Sequence, residues 1–362
     1  MSTQTFASAV GMSNQCQQAT LTPQQPCRSE RGRRLNSNRL ATTVFSILVL
    51  GLLSTPVFAQ SEYPTRSITL IVPFAAGGPT DVVARIVGQQ MSRTLGQQIL
   101  IENVVGSAGT TAGIRAMRSP PDGYTVILGN MGTHAAAVAL YPNLAYNPSS
   151  DFEPIGMVAG MPVLILARKD FPAKDLKEFV NDLRDNASKL NMAHAGVGSV
   201  SFTSCLLLNS IIGVRPTMTP FQGTGPAMNA LVAGRVDYMC DQAVSVVPQV
   251  QAGTIKAYAV GTTGRNPALP SVPTSTEAGL PDFQASAWNA LFAPKGTPQT
   301  IVDKLNAALG KALDDPGTRK QLLDLGSEIP NHEGRTPQAL AALVKSEIAK
   351  WTAIIKAANR GQ

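Results

Sequence analysis

The chain reads as an α/β protein built from two strand–helix units and a helical tail. Three observations predict this. Apolar runs of strand length alternate with stripes of helical period along residues 60–260, the pattern of mainly parallel sheets joined by right-handed crossovers. Glycine-rich loops recur where predicted strands pass into predicted helices. The length, 362 residues, exceeds one ordinary core and suits two domains, and 44% hydrophobic with 15% charged residues is the balance of a folded globular protein.

The elements follow in order. Ser67–Pro73 is a short, nearly continuous apolar run, as expected of a strand covered on both faces. Pro79, Thr80 and Asp81 open a helix: proline suits the first turn, and Thr or Asp can cap free amides. Val83, Ile86, Val87, Met91 and Leu95 carry its apolar stripe, and Gly96 stops it. Strands are predicted at Gln98–Glu102 and Tyr124–Gly129, with a helix over Thr110–Arg118 between them and a turn at Asp122-Gly123. The rhythm resumes with strands at Val163–Ala167, Leu190–Ala193, Thr217–Pro220, Val236–Cys240 and Ile255–Val260. Helices are predicted at Lys174–Arg184, Ser201–Ile212, Pro226–Ala233 and Val244–Ala252. Asn266–Pro281 is proline-rich and aperiodic. After Trp288–Pro294 the chain turns helical over Gln299–Leu313 and Pro337–Ala358. No solenoid repeat is present. The tail either forms part of a consecutive second domain or folds back onto the first unit, and patterning is compatible with both.

The formal charge is +7. Residues 1–59 carry Arg28, Arg31, Arg33, Arg34 and Arg39 against Glu30 alone, a surplus of four that leaves +3 for the remainder. Lys and Arg are scattered there and aromatic residues are only 5%, which excludes a nucleic-acid patch. The N-terminal region has the layout of an export signal: a basic Arg31-Gly32-Arg33-Arg34, an uncharged run from Ala41 to Leu53, then Val57-Phe58-Ala59. Cleavage is expected after Ala59; the alternative is an uncleaved anchor. The residues after Arg33-Arg34 fit twin-arginine export poorly, and no Cys follows the cleavage site to carry a lipid. In the mature chain Cys205 and Cys240 form either a disulfide, which export permits, or two buried thiols. His134, His194 and His332 lie far apart and no Cys-x-x-Cys exists, so neither a metal nor another cofactor is expected.

Three loops are the candidate ligand site: Phe74-Ala75-Ala76-Gly77-Gly78-Pro79-Thr80, Ala195-Gly196-Val197-Gly198-Ser199 and Phe221-Gln222-Gly223-Thr224-Gly225-Pro226. Open α/β sheets bind ligands at the carboxyl ends of their strands. Glycines let backbone amides approach, and the helix behind adds partial positive charge, so a carboxylate can be held without a charged side chain. A single loop of this kind is usually just a tight turn; three together favour binding. Asp241 ends a predicted strand, where it either faces the ligand or caps the following helix, while Asp81 is expected to cap its own helix. Enzyme signatures are missing: there is no Gly-x-Ser-x-Gly elbow and no phosphate loop, and Ser201 stands where a dinucleotide fingerprint needs its third glycine. A secreted enzyme would have to rely on His194 or Asp241.

Pro73–Arg85 (Pro-Phe-Ala-Ala-Gly-Gly-Pro-Thr-Asp-Val-Val-Ala-Arg) resembles the first signature of the Bug-type receptors, the periplasmic substrate-binding components of tripartite tricarboxylate transporters. Glu102-Asn103, Pro121–Thr125, Gly223–Ala227, Leu269–Thr274 with Glu277-Ala278-Gly279, and Trp288 with Ala293–Pro298 match further blocks in family order, across almost the whole mature chain. The resemblance implies a two-lobed Venus-flytrap fold of type II-like form, with the tail returning to the first lobe. Lobe 1 would be residues 60–162 plus 287–362, and lobe 2 residues 163–286. It also implies a monomer without enzymatic activity that binds a small carboxylate through loop amides and ordered waters, and that serves membrane permease subunits; reporting to a membrane sensor is the alternative. The family's loops fall on Phe74–Thr80, Gly196–Ser199 and Phe221–Thr224. One departure stands out: the usual His-Val-Pro-Tyr-Lys-Gly is Met218-Thr219-Pro220-Phe221-Gln222-Gly223 here, without the Tyr hydroxyl and Lys charge, so this wall is less polar.

Overall fold

Strand β1 (Ile68–Val72) is the first element of a computed structural model, which describes residues 63–360. The expected export signal and cleavage after Ala59 fall outside the described residues. β1 is nearly inaccessible along its length, as a continuous apolar run requires. It pairs in parallel with β2 (Ile99–Asn103) on one side and β3 (Thr125–Asn130) on the other, bringing Ile71 between Glu102 and Ile127. The crossovers are helix α1 (Pro79–Leu95) and helix α2 (Thr110–Met117). Gly96 ends α1 in the left-handed region at φ 70°, the conformation its predicted stop position needs. After β3 a π-turn at Gly132–Ala136 runs into the short α3 (Ala137–Leu140).

β4 (Phe152–Arg168) corrects the expectation of a five-residue strand at Val163–Ala167: it has 17 residues. Its first part contains Pro154, Gly156, Gly160 and Pro162, which break strand patterning in the sequence. Register shifts at Pro154/Gly156 and Met157/Ala159 absorb them as bulges. Helix α4 (Leu176–Asn186) follows, then β5 (Asn191–His194), α5 (Val200–Ile212), β6 (Thr217–Pro220), α6 (Thr224–Val232), β7 (Tyr238–Gln242), α7 (Ala243–Gln251) and β8 (Ile255–Val260). β5 pairs in parallel with β6 and β7. β9 (Ser286–Pro294) returns antiparallel to both β3 and β4.

β4 ties the two strand sets together. It pairs with β9 through Pro162, then with β7 and β8 from Val163–Leu164 onward. The tail consists of α8 (Gln299–Asp314), α9 (Pro316–Asp324), which sequence periodicity does not reveal, and α10 (Pro337–Arg360). α8 packs on α1, and α10 packs on β4 and the Gly132–Ala136 turn, so the tail folds back onto the first unit. The alternative left open for the cysteines is resolved too: Cys205 on α5 and Cys240 on β7 are bonded, with Cα atoms 5.3 Å apart.

Candidate functional site

The carboxyl ends of β1 and β2 face those of β5 and β6 across a cavity of about 220 Å³. One wall is Pro73, Phe74, Gly106–Gly109 and Tyr141; the other is Ala195, Gly196, Val197, Pro220, Phe221 and Gln222. An adjoining space of about 10 Å³, the size of one water, lies among Phe74, Gly78, Thr80, Asn130, Ser199, Thr224 and Gln242.

The first loop is shaped by a carboxylate that the ligand cannot reach. Asp81 is buried at the third position of α1. It accepts from the Gly77 amide at 2.9 Å, from Arg85 at 2.9 and 3.0 Å, and from Asn103 Nδ2 at 2.9 Å, and the same Asn103 nitrogen donates to the Phe74 carbonyl. Burial alone would raise this carboxyl, but the bonds from Arg85, Gly77 and Asn103 outweigh it and hold the pKa below the usual range. Asp81 therefore reaches back to order the loop rather than capping the first amides of its helix, which was the expectation.

The second loop rests on His194 and two serines. His194 Nδ1 accepts from the Gly196 amide at 3.1 Å, Ser201 Oγ from the Ala195 amide at 2.9 Å, and Ser199 caps α5 by accepting from Phe202. Burial lowers the His194 pKa, and its Nδ1 is taken up by the Gly196 amide. Its role is to shape the turn, which leaves the rival enzyme without its base. In the third loop the Phe221 amide donates to the His194 carbonyl at 2.8 Å, tying loops two and three together.

The predicted site residues divide into two groups. Phe74, Gly78, Thr80, Gly196, Val197, Ser199, Phe221, Gln222 and Thr224 line the two spaces. Ala75, Ala76, Gly77, Gly198 and Gly223 do not. The absence of a side chain at Gly198, Gly223 and Gly225 lets the two walls meet: a Cβ on Gly223 would lie 3.2 Å from Ala75 Cβ, one on Gly225 3.4 Å from the Ala76 carbonyl, and one on Gly198 3.1 Å from the Tyr141 ring.

Asp241 does not line the cavity either. It is fully buried behind Thr224, whose hydroxyl donates to it at 3.5 Å, and Ser245 donates at 2.6 Å. Neither expected role is realised, since α7 begins at Ala243 without a side-chain cap. Burial raises the Asp241 carboxyl to about 7, the bonds from Ser245, Gln242 and Thr224 offsetting only part of this. An unfolded aspartate titrates near 4, so between about pH 4 and 7 the folded protein keeps a proton that the unfolded chain has lost. The stability from this group is full below pH 4 and is lost as pH rises through 7. Asp241→Asn removes that loss. Its melting temperature relative to the parent should be several degrees higher at pH 8 than at pH 4.5, and parallel profiles would refute the assignment.

Sequence reasoning missed Gly106–Gly109, Asn130, Tyr141 and Gln242. Val105-Gly106-Ser107-Ala108-Gly109 is a fourth glycine-containing passage from a strand into a helix, and the rule that selected the other three would have found it. Ser107 and Ala108 adopt φ of 44° and 50°, uncommon for residues with side chains, where they line the cavity. Tyr141 carries no sequence signal, because a turn after a π-bulged segment brings it to the wall.

The lining holds no Asp, Glu, Lys, Arg or His among the described residues. Its polarity comes from Ser, Thr, Tyr, Asn and Gln side chains and from backbone at the starts of α1, α2, α5 and α6. α1, α2 and α6 begin at Gly78, Gly109 and Gly223 without a side-chain cap, leaving first-turn amides without that partner. α5, whose start also borders the cavity, is capped by Ser199; away from the cavity α4 and α9 are capped by Asp175 and Asp315, while α8 starts at Pro298 without a side-chain cap. Such a surface suits an anion that accepts hydrogen bonds.

The model of the family described as the tripartite tricarboxylate transporter family receptor matches residues 83–360. The chain belongs to this receptor family. The receptor is similar to MatC from Rhodopseudomonas palustris, solved with bound malate, at 54% identity over 81% of this chain and 100% of that one, with a TM-score of 0.79. It is similar to the periplasmic binding protein BugD at 41% identity, covering 82% and 99%, with a TM-score of 0.80. It is also similar to an R. palustris protein solved with adipate, at 34% identity, covering 82% and 98%, with a TM-score of 0.79. The receptor thus has the two-lobed fold of periplasmic solute-binding proteins and is a binding protein rather than an enzyme. No helix among the described residues is long and apolar enough to cross a membrane.

Proposed function

We propose that this receptor is exported, closes its two lobes on a small dicarboxylate as a monomer, and delivers it to the permease subunits of a tripartite transporter. The observation that carries the reading is a cavity lined by uncapped helix starts and hydroxyls, without a fixed charge. Its 220 Å³ is below the roughly 300 Å³ at which drug-sized pockets begin, which favours an acid of few carbons. The malate and adipate bound by the two R. palustris proteins point to the same class. We place the lobe boundaries at 162/163, where β4 exchanges β9 for β7 as its partner, and at 286/287, at the start of β9 opposite that point. The loops Phe74–Thr80, Gly196–Ser199 and Phe221–Thr224 surround the ligand, joined by Gly106–Gly109. The basic, apolar and small-residue segments before Gln60 direct export, with cleavage near Ala59.

Thermal-shift titration of protein purified from the periplasmic fraction tests this. A ligand that binds only the folded state at a hundred times its Kd adds about 2.7 kcal/mol, a rise of several degrees. Malate or adipate is expected to produce it, together with a smaller radius of gyration by small-angle scattering. No shift with any C4–C6 dicarboxylate at millimolar concentration would refute the reading.

A further inference from the structure

We propose that Tyr141 is a closure latch: a single phenolic hydroxyl set between carbonyls of the two walls, engaging Val197 when the lobes meet and so governing how slowly ligand leaves. This rests on the carboxylate-receptor reading above. Tyr141 follows α3, where its amide donates to the Ala137 carbonyl at 3.0 Å and fixes the start of the turn. Its hydroxyl lies within hydrogen-bond reach of the Ser107 carbonyl, at 3.3 Å on its own wall, and of the Val197 carbonyl on the opposite wall. Both partners only accept and a phenol has one proton, so the hydroxyl serves one carbonyl at a time. With the lobes apart, Ser107 remains available. With the lobes together, Val197 becomes the second choice, and its carbonyl is drawn to the cavity rim.

The surroundings fit a latch better than a packing residue. Val197 is 45% exposed, so little apolar burial holds this edge of its loop down. The flanking glycines give the close approach. Gly196 and Gly198 sit at φ 101° and 99°, and a Cβ on either would lie 3.2 Å from Ala108 Cβ or 3.1 Å from the Tyr141 ring. Partial burial raises the phenol pKa, which keeps it a donor throughout the neutral range.

The test is Tyr141→Phe in protein purified from the periplasmic fraction. It uses whichever of malate or adipate raises the parent's melting temperature and measures both rate constants by stopped flow. In the closed form the hydroxyl takes Val197, the nearer of its two carbonyls, and in the open form only Ser107 at 3.3 Å, so Tyr141→Phe removes the stronger bond from one state and the weaker from the other and is expected to speed dissociation about threefold. Association should stay within about twofold, since affinity changes at one interface fall mostly on the off-rate. The ligand-free protein loses only the longer bond to Ser107, so its melting temperature should fall by no more than about one degree, too little to count as destabilisation. Tyr141→Leu, which also removes the ring from Gly198, should dissociate faster still. An unchanged off-rate, a loss carried by association, or a destabilised free protein would each overturn the latch. Failure of the parent protein to bind either acid would instead defeat the receptor reading and the latch with it, so the two failures are distinguishable.

Discussion

Valine at position 223 is expected to weaken dicarboxylate binding about tenfold to a hundredfold while leaving the unliganded protein folded. Gly223 sits at φ 162°, extended backbone that any residue adopts, so the substitution brings no intrinsic strain. Its cost is external. A Cβ there would lie 3.2 Å from both the Cβ and the amide nitrogen of Ala75, on the opposite wall, and valine adds two methyls beyond that. Overpacking of this kind costs about 1–3 kcal/mol, and a hundredfold loss corresponds to about 2.8 kcal/mol. Opening the lobes relieves the clash, so the cost falls on closure and not on folding. Calorimetric titration against melting temperature separates the two. Affinity within threefold of the parent would show that the walls need not meet to bind. Gly198→Val is a poorer probe, because φ at Gly198 is 99° and any loss of affinity there mixes backbone strain with crowding.

Removing the disulfide is expected to cost about 4 kcal/mol of stability. Cys205 and Cys240 close a loop of 35 residues, for which the chain-entropy account gives about that figure. Both residues are fully buried between α5 and β7, so a Cys205→Ser, Cys240→Ser double variant also buries two hydroxyls in an apolar site and loses further. Urea unfolding of the parent with and without reductant isolates the bridge from the serines. An unchanged midpoint in fully reduced protein, verified by thiol titration, would show that the bridge stabilises nothing.

Both features differ in how plainly the sequence shows them. β1 (Ile68–Val72) was legible to within a residue because burial on both faces leaves a continuous apolar run; Thr217–Pro220 and Ile255–Val260 also fall where expected, although the first is largely exposed and the second carries Lys256, so there the strand–helix rhythm marked them rather than burial. β4 was legible only at its end. Its first half alternates Gly and Pro with apolar residues, and bulges that no local rule requires make it a strand. The glycine loops were found because glycine marks places where backbone must come close. What it comes close to is not encoded locally: Gly78 faces Thr224, Gly223 faces Ala75, and Gly198 faces Tyr141, pairings across 57 to 148 positions that only tertiary structure supplies. Asp241 illustrates the opposite error. A strand-end aspartate beside a ligand loop suggests contact, yet it points behind Thr224 into the core, and nothing in its flanking residues reveals the direction.

The unbroken course of β4 has a thermodynamic consequence. Its backbone belongs to both half-sheets, and one continuous apolar cluster runs from Ile68 and Val126 through Phe152, Val163 and Ile165 to Phe179, Met192 and Tyr238. Separating the halves as folded fragments would cut that strand and expose this shared cluster on both pieces. On this account neither half is an independent folding unit, and a single unfolding transition is expected by heat or denaturant; two resolved transitions in calorimetry would show the halves melting separately. Ligand energy gained at the rim is in that case felt by the whole chain, including elements such as α4 that never approach the cavity.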